Sequence, residues 1–116
     1  AEKDLEIDLL YCSPATRTRE TAEIIKQHIP VNEEILTQDI YDGHVDALIK
    51  LLEGTPESVD TCMLIGHNPT ISLLISHLSE GNYIGLQPGA MGIVELEIND
   101  WMMVGRGTGR LLELLE

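Results

Sequence analysis

SPATRTRETA (residues 13–22) and LIGHNP (residues 64–69) decide the fold of this chain, because the first follows a short apolar run and the second completes one. The runs are IDLLYC (residues 7–12) and TCMLI (residues 61–65), and both have the length and apolar content of buried strands. In an open α/β sheet, ligands bind outside the carboxyl ends of the strands. We therefore predict that the polar residues after the two runs meet around one ligand.

Arg17 has the chemistry of a phosphate-binding residue. Its guanidinium is a planar, bidentate donor that lysine cannot reproduce, and it lies near the start of a predicted helix whose free N–H groups also favour an anion. Ser13 either donates its hydroxyl to the same anion or serves as a turn or cap residue of that helix. The alternative for Arg17 is a surface ion pair with Glu20 or Glu23.

His67 is the second candidate, and we expect it to share one anion with Arg17. Gly66 before it allows the backbone to approach a ligand closely, and Asn68 and Pro69 after it predict a helix start with further free N–H donors. In that place His67 can hold phosphoryl oxygens as charge develops on them. The alternative is a structural histidine at a strand end.

Three segments have the spacing of amphipathic helices, namely residues 16–28, 44–53 and 69–78. Residues 31–43 are rich in acids and predict a loop with a short edge strand. Because these helices alternate with the two strand runs, we predict an α/β fold with a mixed, mainly parallel sheet flanked by helices.

In the C-terminal third of the sequence, apolar residues recur at every second position instead of at helical spacing. MGIVELEI (residues 91–98) alternates apolar with other side chains, and RLLELLE (residues 110–116) does so less strictly. These segments predict an antiparallel pair at one edge of the mixed sheet. Trp101, Met102 and Met103 in the connection are expected to cap the edge of the core.

Length and charge limit the possible partners. The 116 residues predict a single domain over residues 1–116. With 20 acidic and 7 basic residues the formal net charge is -13, which argues against nucleic acid and anionic membrane surfaces as partners. No apolar run approaches the length needed to span a bilayer.

The two cysteines, Cys12 and Cys62, lie in the strand runs and have no metal-ligand spacing. We therefore predict no metal site and two buried, reduced thiols, as in a cytoplasmic protein. A disulfide between them and a nucleophilic role for Cys12 are the alternatives.

Three motifs together carry a family resemblance: SP-x-x-R-x-x-x-TA from Ser13, GHNP around His67, and GTGRLLELL (residues 107–115). In this order they resemble the histidine phosphatase (phosphoglycerate mutase-like) superfamily, and within it the short SixA-type phosphohistidine phosphatases. The resemblance implies a phosphoglycerate mutase-like fold, with Arg17 clamping phosphate, Thr21 and Ala22 beginning the buried helix face, and His67 donating to phosphoryl oxygens. It also implies hydrolysis of phosphohistidine on a protein through a phosphohistidine enzyme intermediate, without a cofactor.

One feature of that family has no counterpart in the sequence. The family begins with a strand ending in Arg-His-Gly, whose histidine becomes phosphorylated, whereas none of the four histidines here follows an arginine: His28, His44, His67 and His77. We expect the domain to be incomplete at its N-terminus and this polypeptide to have no turnover of its own. The alternative is an inactive phosphate-binding or protein-interaction relative.

The general acid is the least defined part of the predicted site. Asp42 is the candidate for proton transfer, with Asp39 and Glu34 in the same acidic segment. An imidazole leaving group has a reference pKa of about 6.5 and departs with little help, so the short segment agrees with phosphohistidine. The expected partners are a phosphorylated protein and inorganic phosphate or sulfate. A phosphate-ester phosphatase is the alternative enzyme.

Overall fold

The computed structural model describes residues 6–42, 44–67, 70–81, 85 and 91–115. Five strands, four α-helices and a 3-10 helix follow one another in these ranges. Their bounds are β1 Leu9–Cys12, α1 Thr16–His28, β2 Glu34–Leu36, α2 Gln38–Asp42, α3 Val45–Glu53, β3 Cys62–Ile65, α4 Thr70–Ser79, β4 Met91–Leu96, the 3-10 helix Trp101–Met103 and β5 Gly109–Leu115.

The strand β1 is the centre of a three-stranded parallel sheet with the order β2-β1-β3. All four of its residues are buried. Because successive side chains of a strand point to opposite faces, Leu9 and Tyr11 belong to one core cluster and Leu10 and Cys12 to the other. The two apolar runs form neighbouring parallel strands, as predicted, but the burial expected of both is complete only in β1, because all four residues of β3 are half-buried.

Helices cover both faces of this sheet. The helix α1 packs through Ala22 on the face of Leu10 and Cys12. On the opposite face the core is completed by buried apolar residues of α2, α3 and α4: Ile40, Leu48, Leu52, Leu74 and Leu78. The three predicted helices are confirmed, and none of the helices in the described ranges is long and apolar enough to cross a membrane.

The segment predicted as a loop, residues 31–43, contains a helix that the sequence analysis missed. The expected edge strand is present as β2, and α2 follows it directly. This helix begins after Thr37, whose hydroxyl accepts a hydrogen bond from the N–H of Asp39 at 3.2 Å, and the buried side chain of Ile40 anchors it. Five residues are too few for a helical period to show in the sequence.

The C-terminal strands β4 and β5 pair antiparallel, as expected, with an irregularity between Ile93 and Val94. They form a two-stranded sheet of their own within the described residues, whereas the prediction placed them at an edge of the mixed sheet. Val94 and Leu96 pack on the core that includes α4. The α/β class with an antiparallel C-terminal pair is confirmed.

The connection between β4 and β5 is only partly the core cap that was expected. The indole N–H of Trp101 donates to the carbonyl of Val59 at 2.9 Å, and the ring packs against the core. Met102 and Met103 are 73% and 57% exposed, so for them the prediction was wrong. In a three-residue 3-10 helix the side chains point in different directions, and one of them suffices to close the core.

Candidate active site

Ser13 and His67 meet at the carboxyl edge of the parallel sheet. Ser13 follows β1 directly, and its N–H donates to the carbonyl of Ile65, the last residue of β3, at 3.0 Å. His67 comes two residues later, and its Nε2 lies 2.8 Å from the Ser13 hydroxyl oxygen. The pairing of the two strands thus brings together residues that are 54 positions apart.

The Ser13 hydroxyl fixes the orientation of the His67 ring. Ser13 is fully buried, and its oxygen accepts the N–H of Ala15 at 3.3 Å while contacting Nε2 of His67. When the imidazole is neutral, the hydroxyl can donate to Nε2, and the proton then resides on Nδ1. In that tautomer Nδ1–H would be the ring donor that Ser13 does not engage. Ser13 acts as a turn residue here, since Ala15 is the N-cap of α1.

Thr18 holds the turn that carries Ser13, and the sequence analysis missed it. Its buried hydroxyl donates to the carbonyls of Ser13 at 2.8 Å and of Ala15 at 2.9 Å. Thr18 precedes Ala22 by four positions and therefore lies on the same buried face of α1, one turn earlier. This helical spacing is the feature of the sequence that could have identified Thr18 as a buried residue. Thr21, expected on the buried face, is instead exposed and donates to the carbonyl of Arg17.

Arg17 lies in the first turn of α1 with an exposed side chain. The alternative ion pairs with Glu20 and Glu23 are not formed, and Glu23 instead contacts Lys26 at 2.8 Å. The N-cap residue Ala15 makes no side-chain cap and no acid occupies the first turn of α1, so among the described residues no cap takes up the first N–H groups of the helix, which favour an anion. The convergence of Arg17 with His67 on one anion stays a prediction.

The helix α2 lies beside His67 and contributes an aromatic ring to the site. The rings of Tyr41 and His67 meet edge to face, with centroids 5.5 Å apart and planes at 81°. Gly66 allows this approach, because a Cβ there would lie 2.7 Å from Cγ2 of Ile40 and 3.1 Å from Cδ1 of Ile71. We expected Gly66 to let a ligand approach the backbone closely. In the structure, the space beside its Cα is instead filled by Ile40 of α2.

The other acidic-segment candidates are differently placed. Asp42 is the last residue of α2, and its side chain lies outside the part of the chain that the structure describes. Glu34 is held by Lys26 at 2.6 Å, and Asp39 is exposed. His44 is the exposed N-cap residue of α3 and makes no side-chain cap there. Asp42 as the proton donor therefore stays a prediction.

The two cysteines are free. The Cys12 thiol is buried and donates to the carbonyls of Ser13 at 3.2 Å and Thr18 at 3.5 Å, and burial raises its pKa. Burial also raises the pKa of Cys62 to about 12. Because the thiolate is the nucleophilic form, the structure does not support Cys12 as a nucleophile. Cys62 is only half-buried, less than predicted.

Comparison with known proteins gives a match at the level of the fold. No protein-family model matches the sequence, and no curated protein matches it. The structure is similar to that of a proposed phosphohistidine phosphatase SixA from Nakamurella multipartitia, with a TM-score of 0.77 and 19% identity over 97% of this chain and 72% of that one. It is also similar to the protein histidine phosphatase SixA solved in complex with tungstate, with a TM-score of 0.75 and 24% identity over 97% and 70% of the two chains. The chain therefore has the fold of the SixA phosphohistidine phosphatases.

Proposed function

We propose that this chain is the phosphate-binding part of a SixA-type phosphatase that hydrolyses phosphohistidine on proteins in the cytoplasm. The observation that carries the proposal is the hydrogen bond between Ser13 and His67 at the carboxyl ends of β1 and β3. It lies at the edge where an α/β sheet binds its ligands, in a fold shared with SixA phosphatases. Tungstate, the ligand of one of those structures, is a tetrahedral oxyanion like phosphate.

Two residues would stabilise the transferred phosphoryl group. His67, held by Ser13, would donate through Nδ1–H to one oxygen, and Arg17 would bind others through its guanidinium and the free N–H groups of its helix. Such donors act most strongly when they are oriented before the reaction begins. The fixed turn around Thr18 provides that orientation for Ser13 and, through it, for His67.

The nucleophile of this proposal is the histidine of an Arg-His-Gly strand, which the sequence does not contain. Its nitrogen would attack phosphorus as the bond to the leaving imidazole breaks, and water would then release phosphate from the enzyme. The strand β3 offers a place for it, because it pairs on one side only within the described sheet and its four residues are half-buried. A further parallel strand there would end beside His67.

Asp42 would supply a proton only where the leaving group needs one. An imidazole departs readily, whereas an alkoxide does not. In a form with the nucleophile, Asp42→Asn should reduce hydrolysis of an alkyl phosphate far more than that of phosphohistidine. Equal and large losses on both substrates would identify Asp42 as a required general acid and would favour a phosphate-ester phosphatase.

A second candidate function is phosphate binding without catalysis, which needs only the Ser13, Arg17 and His67 side chains that this sequence contains. The coding sequence upstream of Ala1 separates the two. An Arg-His-Gly strand there supports the enzyme, and restoring it should produce phosphohistidine hydrolysis, whereas the 116-residue chain is expected to show none. An upstream sequence without it supports the binding module.

Anion binding tests the site that both candidates share. Calorimetric titration with tungstate should show that Arg17→Ala and His67→Ala each weaken binding at least about tenfold. Arg19→Ala is the matched control, since Arg19 is also an exposed arginine of α1 and should leave binding unchanged. In a form in which the Arg-His-Gly strand has been restored and hydrolysis is measurable, Arg17→Ala should cost about 2 to 4 kcal/mol of transition-state stabilisation. Equal effects of the two arginine variants would contradict the assignment of Arg17.

A further inference from the structure

Tyr41 is the aromatic side chain beside the candidate site that the proposed reaction leaves without a role. Its ring contacts the ring of His67 at an edge-to-face angle, and yet 53% of the side chain is exposed. The exposed surface of Tyr41 is therefore free to contact a group that approaches His67.

The position of Tyr41 is built into the fold. After β2, the N–H of Thr37 donates to the carbonyl of Cys12 at 3.0 Å, which starts α2 at the carboxyl end of β1. Ile40 then packs against Gly66, where no side chain larger than hydrogen fits without movement. The helix thus crosses the sheet edge from β2 towards His67, and Tyr41 is placed on its exposed side.

We propose that Tyr41 determines substrate specificity by contacting the imidazole of the phosphohistidine substrate as its phosphoryl group lies on His67. The inference rests on the proposed function and adds the recognition of the leaving group. A flat aromatic ring gains from offset or edge-to-face contact with tyrosine, whereas an alkyl chain lacks this geometry. Selectivity between phosphohistidine and alkyl phosphates would then come partly from this one ring.

The test compares two peptides with the same sequence and different phosphonate side chains. One carries a triazolyl phosphonate, a stable five-membered aromatic mimic of phosphohistidine, and the other an alkyl phosphonate of equal length. Calorimetry on the 116-residue chain should show about 3- to 10-fold tighter binding of the triazolyl peptide. Tyr41→Leu should remove this preference, Tyr41→Phe should keep it, and Met102→Ala, an exposed apolar control, should leave both affinities unchanged.

The ratio of the two affinities is the decisive quantity, because a purely structural loss at Tyr41 would weaken both peptides alike. An unchanged ratio in Tyr41→Leu would overturn the role of Tyr41 while leaving the phosphate site intact. Failure of the unsubstituted chain to bind tungstate and both peptides would instead contradict the proposed function. Tungstate binding with no preference between the peptides would overturn the specificity inference alone.

Discussion

The strands β1 and β3 run side by side and end in the same site, and yet they are enclosed to different degrees. β1 has a neighbour on each side and four buried residues, whereas β3 has a described neighbour on one side only and four half-buried residues. Ser13 after β1 is fully buried, and His67 after β3 is partly exposed. Within the described residues the difference follows from strand pairing, because β1 is flanked by two strands and β3 by one.

The largest expected effect concerns a matched pair of residues in the two strands. Leu10 of β1 and Met63 of β3 are register partners and contact the same core cluster. Leu10→Ala should lower the free energy of unfolding by about 2 to 5 kcal/mol, because Leu10 is completely buried. Met63→Ala should cost less than about 2 kcal/mol, because its side chain is only half-buried.

Urea denaturation measures both values. Equal losses would contradict the comparison, since they would mean that β3 is as enclosed as β1. Urea denaturation of a longer form that includes an Arg-His-Gly strand gives a sharper test of the difference in enclosure between β1 and β3. If that strand pairs with β3, the cost of Met63→Ala should rise towards that of Leu10→Ala.

The next effect concerns the contact that joins the two strand ends. Ser13→Ala removes the partner of His67 Nε2 and should weaken tungstate binding about 3- to 10-fold, since a typical hydrogen bond contributes about 1 kcal/mol. Nitrogen NMR of the imidazole should show a changed balance of tautomers. Ser79→Ala is the control, because its hydroxyl donates to the carbonyl of Ile75 within α4. An unaltered His67 spectrum in Ser13→Ala would show that the hydroxyl does not fix the ring.

The sequence predicted the parts of this molecule whose signals are local. The runs ending at Cys12 and Ile65 are mainly apolar, and the helical stripe around Ala22 is regular, so strands and helices could be assigned. The contact between Ser13 and His67 could be expected only in outline, because strand register is a property of the folded sheet. The helix α2 could not be predicted, since five residues show no helical period and the burial of Ile40 in the core is a tertiary feature.

A smaller effect should appear at the opposite end of the same two strands. The carboxylate of Asp8, just before β1, accepts the N–H groups of Thr61 at 3.0 Å and Asp60 at 2.9 Å, just before β3. These bonds, led by the one from Thr61, lower the pKa of Asp8. A lowered folded pKa gives stabilisation that is complete above the unfolded value of about 3.9 and is lost as pH falls through the folded value.

Thermal denaturation between pH 7 and pH 2 tests this link. Asp8→Asn should lower the melting temperature by a few degrees at pH 7, and the difference from the unsubstituted chain should shrink below pH 4. Glu57→Gln, a substitution of an exposed loop acid, is the control. A difference that stays constant across the range would mean that the charge of Asp8 has no part in holding the strands together.

The smallest effect is expected from the cysteines, which provide one thiol in each strand. Cys12 is fully buried in β1 and Cys62 half-buried in β3, and burial raises the pKa of both. A disulfide-exchange reagent at pH 8 should therefore modify both slowly in the folded chain, Cys12 more slowly than Cys62, and both rapidly in urea. Cys12→Ser and Cys62→Ser assign the two rates. Modification of Cys12 in the folded chain that is faster than modification of an unfolded thiol would instead support a nucleophilic role for Cys12. It would also contradict the expected link between enclosure and slow modification, because the faster thiol would then lie in the more enclosed strand.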